Sequence, residues 1–213
     1  MAFNLSGTLT FFKLFQNPAL CLPHHTIKTF ADLPVPIGKA FADSEKGIEA
    51  DIRAVILDKD NCFALPHSNE VYPPYIQKFE ELKKAYPGSR LLIVSNTAGT
   101  RDDPTGEGLA VLEKNTGVKV LKHNTKKPGC RDEVFKYLRE APDVQIERPD
   151  QIAVVGDRLL TDVMMANLMG ARGIWVKDGV VQRKTFFAKA EESLSDFLLR
   201  RGYVAPEPKS DFE

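Results

Sequence analysis

Two aspartates one residue apart follow a short apolar run, Leu57-Asp58-Lys59-Asp60-Asn61. On extended backbone, residues i and i+2 point the same way, so Asp58 and Asp60 can share one site. Carboxylates that close repel, and a divalent cation relieves the repulsion. Alternatively they divide the work, one as ionised nucleophile and one as proton carrier. Taken alone, the pattern also fits a pair of loop or capping aspartates. A second apolar run ends in Val94-Ser95-Asn96-Thr97. A hydroxyl and an amide there can bind a phosphoryl oxygen, or simply make a turn. A third is followed by His123-Asn124-Thr125-Lys126-Lys127-Pro128. A lysine beside a proline-stiffened turn is a point charge for phosphate; Lys127 is the candidate, and Lys126 reads better as a solvated side chain. A fourth run ends in Val155-Gly156-Asp157-Arg158, with Thr161-Asp162 close behind. Thr161 can cap the next helix and Asp162 can complement its dipole. Asp157 and Asp162 are equally two more oxygen donors, the kind Mg2+ takes while keeping several waters.

These groups need elements to position them, and an alternation supplies them. Five apolar runs rich in Val, Ile and Leu predict strands covered on both faces: Ala54–Leu57, Leu91–Val94, Val118–Leu121, Ile152–Val155 and Gly173–Val176. Helical spacing is found between and after them. Tyr75–Tyr86 carries Ile76, Phe79 and Leu82, and Arg131–Ala141 carries Val134, Phe135 and Leu138. Gly108–Thr116, Thr161–Met169 and Thr185–Arg201 each stop at a glycine. The pattern predicts a Rossmann-like α/β fold, a three-layer parallel sheet with right-handed crossovers. Ligands of such folds sit beyond the carboxyl ends of the strands, where all four motifs fall.

Composition excludes several classes. Lys+Arg and Asp+Glu both number 29, so no broad electrostatic grip on nucleic acid is indicated. No apolar run is long enough to span a bilayer. Three separated cysteines, Cys21, Cys62 and Cys130, make no CxxC pair, which argues against a disulfide framework or a structural zinc. Gly106-Glu107-Gly108 is not a dinucleotide fingerprint, because its third position is Val111 and a long loop precedes it.

Residues 1–31 contain no Asp or Glu and are rich in Phe and Leu, among them Phe3, Leu5, Leu9, Phe11 and Phe12. They read either as an element lying in a membrane interface, with Lys13 and Lys28 toward anionic head groups, or as a buried arm packing on its own domain or on a neighbouring subunit. The second reading allows a homo-oligomer through residues 1–31. The expected organisation is an arm and connector over 1–50, a catalytic domain over 51–203, and a flexible tail over 204–213.

The motif order DxD, SN, KP and GDxxxTD, each at its own strand end, resembles the haloacid dehalogenase (HAD) superfamily of phosphatases over about Arg53 to Lys177. DKDN, SNTAGTRDD, KKP and GDRLLTD with an apolar N-terminal arm are similar to the mitochondrial-type phosphatidylglycerophosphate phosphatases and their bacterial relatives. The resemblance implies Asp58 as nucleophile forming an aspartyl phosphate, and Asp60 as general acid and base. It implies Ser95, Asn96 and Lys127 on the phosphoryl oxygens. It places Mg2+ on Asp58, the Asp60 carbonyl and Asp157, with Asp162 as direct or indirect helper. It also implies a peripheral enzyme on the matrix side of the mitochondrial inner membrane. Cys62 departs from the Thr or Val usual in that superfamily two positions after the second Asp, which touches packing more than chemistry.

Residues 61–94 have room for one helix and a flap-like loop at 66–74, and residues 97–126 must supply a loop, a helix and a strand. Neither interval holds a sizeable cap domain. An uncovered site suits a protein or a lipid head group, and the acid-free arm tips the choice toward a phospholipid at a membrane surface. Arg101 is a candidate for a second phosphate, or for a surface pair with Asp102 or Asp103. The alternatives are a capless phosphatase for phosphoproteins or small phosphomonoesters, and a catalytically silent domain that binds a membrane or partner.

Overall fold

The computed structural model describes residues 13–42, 48–181 and 186–212. Phe3, Leu5, Leu9, Phe11 and Phe12 of the arm, and Thr185 at the expected start of the last helix, lie outside the described residues.

Six parallel strands form one sheet: β1 His25–Ile27, β2 Ala54–Leu57, β3 Leu91–Ile93, β4 Lys119–Val120, β5 Ile152–Gly156 and β6 Arg172–Val176. Their spatial order is β1-β6-β5-β2-β3-β4. The chain builds outward from β2 through β3 to β4, then returns to the other side of β2 for β5. The topological switch therefore lies between β2 and β5, where open α/β sheets bind ligands. Leu57 pairs with Val155 there, and Asp58 N donates to Val155 O at 2.9 Å.

Among the described residues after β1, the α-helices are α1 Ile76–Ala85, α2 Glu107–Thr116, α3 Arg131–Glu140, α4 Met164–Met169 and α5 Phe186–Arg200. The strand period of two separates two cores. Val55, Leu57, Leu91, Ile93, Ala153 and Val155 pack with Phe79 and Leu82 of α1 and Leu112 of α2. Ala54, Ile56, Leu92, Val94, Ile152 and Val154 pack with Val134 and Leu138 of α3 and Met165 and Ala166 of α4. These are the three expected layers. No described helix is long and apolar enough to cross a membrane.

The largest difference from the sequence reading is at the N-terminal side. β1 was not expected, and it extends the sheet by pairing with β6 from His25↔Ile174 to Ile27↔Val176. Ala19, Cys21 and Leu22 pack under Trp175, Leu159 and Leu198. Phe30, Leu33 and Ile37 are fully buried on the α1 side. Residues 18–37 thus pack on the chain's own domain, and the stretch read as a connector contributes to its core. The C-terminal stretch is also tied down. Lys209 N donates to Gly170 O at 2.9 Å, and the Phe212 ring stands edge-on to Phe135 at 5.4 Å. His24 accepts from Gly173 N on Nδ1, so its Nε2 carries the proton and donates to Pro206 O at 2.8 Å.

Candidate active site

At the switch point, Asp58 leaves β2, Asp157 leaves β5, and Asp162 sits in a π-helical turn, Leu159–Val163. One carboxylate oxygen from each lies within 4.8 Å of the others, and all three residues are buried. Carboxylates separated by about a hundred residues thus share one site. The wide turn lets Asp162 fold back over the end of β5, where its Oδ2 accepts from Arg158 N at 3.2 Å. That closeness explains Gly156: a Cβ there would lie 2.3 Å from Asp162 Cγ. Gly156→Ala is expected to push Asp162 off the cluster and weaken divalent-cation binding at least about tenfold, since overpacking costs about 1–3 kcal/mol. A calorimetric cation titration checks it, and unchanged affinity would contradict the arrangement.

Lys127 Nζ stands 2.5 Å from Asp58 Oδ1 and 2.6 Å from Asp162 Oδ1, its side chain 2% exposed. Burial would lower the ammonium, but Asp162 and Asp58 reverse that and hold it well above the ordinary lysine value. Burial pushes the Asp58 carboxyl up to about 6 against the pull of Lys127, and Asp162 adds to the rise. Three buried carboxylates against one ammonium leave an excess of negative charge in an all-oxygen donor set. That is the chemistry a hard divalent cation satisfies, so the residues present fit a metal.

Asp60 is not part of this cluster. The strand ends at Leu57 and the backbone turns at Lys59, so the alternation that would have aligned the two carboxylates ends. Asp60 Oδ1 accepts from Lys59 Nζ at 2.6 Å and His67 N at 2.7 Å. Its Oδ2 accepts from Thr97 Oγ1 at 2.9 Å. Burial raises the Asp60 carboxyl, but Lys59 and these donors outweigh it and hold it below the usual range. Lys59 is itself 1% exposed and also donates to Ser68 O at 2.8 Å, anchoring the loop over 65–72.

Ser95 and Asn96 both lie in the loop after β3. Ser95 Oγ is within 2.9 Å of Thr97 Oγ1 and accepts from Thr97 N at 3.1 Å. Asn96 Oδ1 accepts from Lys127 N at 2.7 Å, joining this loop to the lysine loop. His123, 3% exposed, bridges the same loops, with Nε2 2.9 Å from Ser95 O and Nδ1 2.7 Å from Thr125 O. Arg101 is exposed, and neither expected acidic partner takes it. Asp102 pairs with Lys126 at 2.5 Å, and Asp103 accepts from Gly99 N, Gly108 N and Leu109 N at the start of α2. Cys62 is fully buried in the core below Asp58, with burial holding its thiol well above the ordinary value.

The sequence reading passed over Lys59, Asn61, Thr97, His123 and Gly156. Lys59 and Asn61 lie in the Asp58-Lys59-Asp60-Asn61 stretch, yet a lysine between two acids reads as solvated and an asparagine as turn chemistry. Only their burial shows otherwise.

Comparison with known proteins places the chain. A family model described as mitochondrial PGP phosphatase matches residues 5–181. The mitochondrial phosphatidylglycerophosphatase of Saccharomyces cerevisiae is 45% identical over 195 residues, covering 92% of this chain and 98% of the yeast protein. A probable mitochondrial phosphatidylglycerophosphatase of Schizosaccharomyces pombe is 34% identical over 195 residues, covering 91% and 92%. A probable phosphatase of Bacillus subtilis is 27% identical over 165 residues, covering 75% and 86%.

Proposed function

The chain belongs to the mitochondrial PGP phosphatase family, and we propose that it hydrolyses the terminal phosphomonoester of phosphatidylglycerophosphate, leaving phosphatidylglycerol. The observation that carries the reading is the convergence of Asp58, Asp157, Asp162 and Lys127 at the mouth of the sheet.

Asp58 is the nucleophile. Its carboxylate oxygen attacks phosphorus, the bond to the glycerol oxygen breaks, and the phosphoryl group rests on Asp58 as an aspartyl phosphate. Lys127 compensates charge on the phosphoryl oxygens, and Ser95 and Asn96 are proposed as further hydrogen-bonding groups for them. Asp60 protonates the departing alkoxide, then takes a proton from the water that attacks the aspartyl phosphate. To hold that first proton Asp60 must exchange its contact with Lys59 for the leaving group, so the arrangement described is a resting one. Asp58, Asp157 and Asp162 would hold the cation, proposed as Mg2+, with the Asp60 carbonyl as a further oxygen. Bound there, Mg2+ supplies charge stabilisation to the transferring phosphoryl group.

Site access supports a lipid substrate. Residues 61–94 hold a loop, α1 and β3, and residues 97–126 hold α2 and β4, with no cap domain in either. A head group presented by a bilayer can reach such a site without being enclosed. The proposed location is the matrix side of the mitochondrial inner membrane, as a peripheral protein; relatives named as mitochondrial support the organelle. Association of copies through the arm is a further proposal, tested by the solution mass of the full chain as a function of its concentration.

The deciding experiment is phosphate release from phosphatidylglycerophosphate in vesicles, beside p-nitrophenyl phosphate and a phosphopeptide, before and after chelation. Release from the lipid is expected to exceed both other substrates, to stop on chelation and to return with Mg2+. Equal turnover of the phosphopeptide would overturn the substrate assignment.

A further inference from the structure

We infer that Asn61 is a positioning residue that aims the Asp157 carboxylate and ties that aim to the loop after β6. The inference rests on the proposed function only through the cation site, not through the substrate.

Asn61 is 2% exposed. Its Nδ2 donates to Asp157 Oδ2 at 2.9 Å, and its Oδ1 accepts from Val181 N at 2.9 Å. The second bond decides how the amide is turned. A backbone N–H can only donate, so the side-chain carbonyl faces Val181 and the amino group faces Asp157. Asn61 O accepts from Val180 N at 3.0 Å, so side chain and backbone grip the same loop. The φ of 62° is one that asparagine tolerates better than most residues. Position 61 therefore selects asparagine twice, once for the backbone and once for the amide.

The loop is shaped to match. Gly179 has φ 65°, and a Cβ there would lie 2.2 Å from Asn61 Nδ2 and 2.7 Å from Asn61 O. Trp175 Nε1 donates to Asp157 O at 3.1 Å from β6. Asp157 is thus held at its backbone by β6 and at its carboxylate by Asn61, which the loop after β6 locks in turn. Groups that orient a metal-binding carboxylate typically carry 10- to 100-fold in metal affinity.

The test is Mg2+ binding by calorimetry to the full chain. Asn61→Gly keeps the left-handed backbone and deletes the amide. Gly179→Ala keeps the amide and displaces it. Each is expected to weaken Mg2+ binding about 10- to 100-fold, with KM for the lipid at saturating Mg2+ nearly unmoved. The double variant is expected to lose less than the two single losses summed, because the amide contact can be lost only once, although the clash with the residue 61 carbonyl persists. Folded Asn61→Gly with wild-type affinity overturns the inference, and so do losses that add. If Asn61→Gly fails to fold, unchanged affinity in Gly179→Ala overturns it. A wild-type chain that binds Mg2+ but leaves the lipid intact removes the substrate assignment and leaves this inference standing. A wild-type chain that binds no Mg2+ removes both.

Discussion

Asp58→Asn is expected to lower phosphate release from phosphatidylglycerophosphate by about 10⁴-fold or more while the chain stays folded. Losing a nucleophile that forms a covalent intermediate has effects of that order. An amide oxygen in the same place neither attacks phosphorus nor carries the charge that Lys127 offsets. Folding is expected to survive because the substitution removes a carboxylate that burial already disfavours: the Asp58 carboxyl is pushed up to about 6. In metal-free protein this has a sign. The folded state holds the Asp58 proton to higher pH than the unfolded chain does, so wild-type stability falls as pH rises through about 6. The variant has no such group. Its melting temperature is expected to exceed that of metal-free wild type at pH 7.5, and the gap to narrow as pH falls to 5. Phosphate release and thermal melts at the two pH values measure both parts. Turnover that persists in the variant would remove Asp58 from the chemistry.

Lys127→Met is expected to damage stability as well as activity. Lys127 is the cation between Asp58 and Asp162, at 2.5 and 2.6 Å, and it is almost completely buried. Deleting it leaves buried carboxylates uncompensated, a change that costs about 3–5 kcal/mol when one partner of a buried pair is removed. For a chain of this size that corresponds to a drop in melting temperature of roughly 10 °C. A divalent cation restores part of the lost charge balance, so Mg2+ is expected to raise the melting temperature of Lys127→Met more than that of wild type. Catalysis is not expected to return, because the cation does not replace the ammonium on the phosphoryl oxygens. Wild-type stability in metal-free Lys127→Met would show that the carboxylates are not ionised together.

Much of the fold was legible for a local reason. β2, β3 and β5 are continuous apolar runs, largely of branched residues and buried throughout, and such runs announce themselves without knowledge of neighbours. The helices between them end where glycine or proline ends them: Gly117 and Gly170 adopt φ near 70° at helix ends. β1 was not legible, because His25-Thr26-Ile27 has no apolar run and becomes a strand by pairing with β6. The burial of Leu33 and Ile37 was hidden likewise by the prolines around them. Their reason is the open face of the sheet beside α1, a tertiary fact; Ile37 N donates to the Tyr86 hydroxyl at 2.9 Å, from the far end of that helix.

The order of chemical groups along the chain, and their placement at strand ends, were contained in the residues themselves, since strand mouths are marked by where apolar runs stop. The side-chain aims were not. Asp58 and Asp60 are neighbours in sequence, yet the Asp60 carboxylate lies outside the cluster that Asp58 joins, because the strand ends at Leu57 and Lys59, His67 and Thr97 hold Asp60. Asp58 and Asp162 are far apart in sequence and share one ammonium, because the sheet order puts β2 beside β5 and the π-helical turn folds Asp162 back onto it. Periodicity records only which face of its own element a residue occupies. Which charge it meets depends on contacts between elements brought together when the chain closes, and no local pattern carries that information.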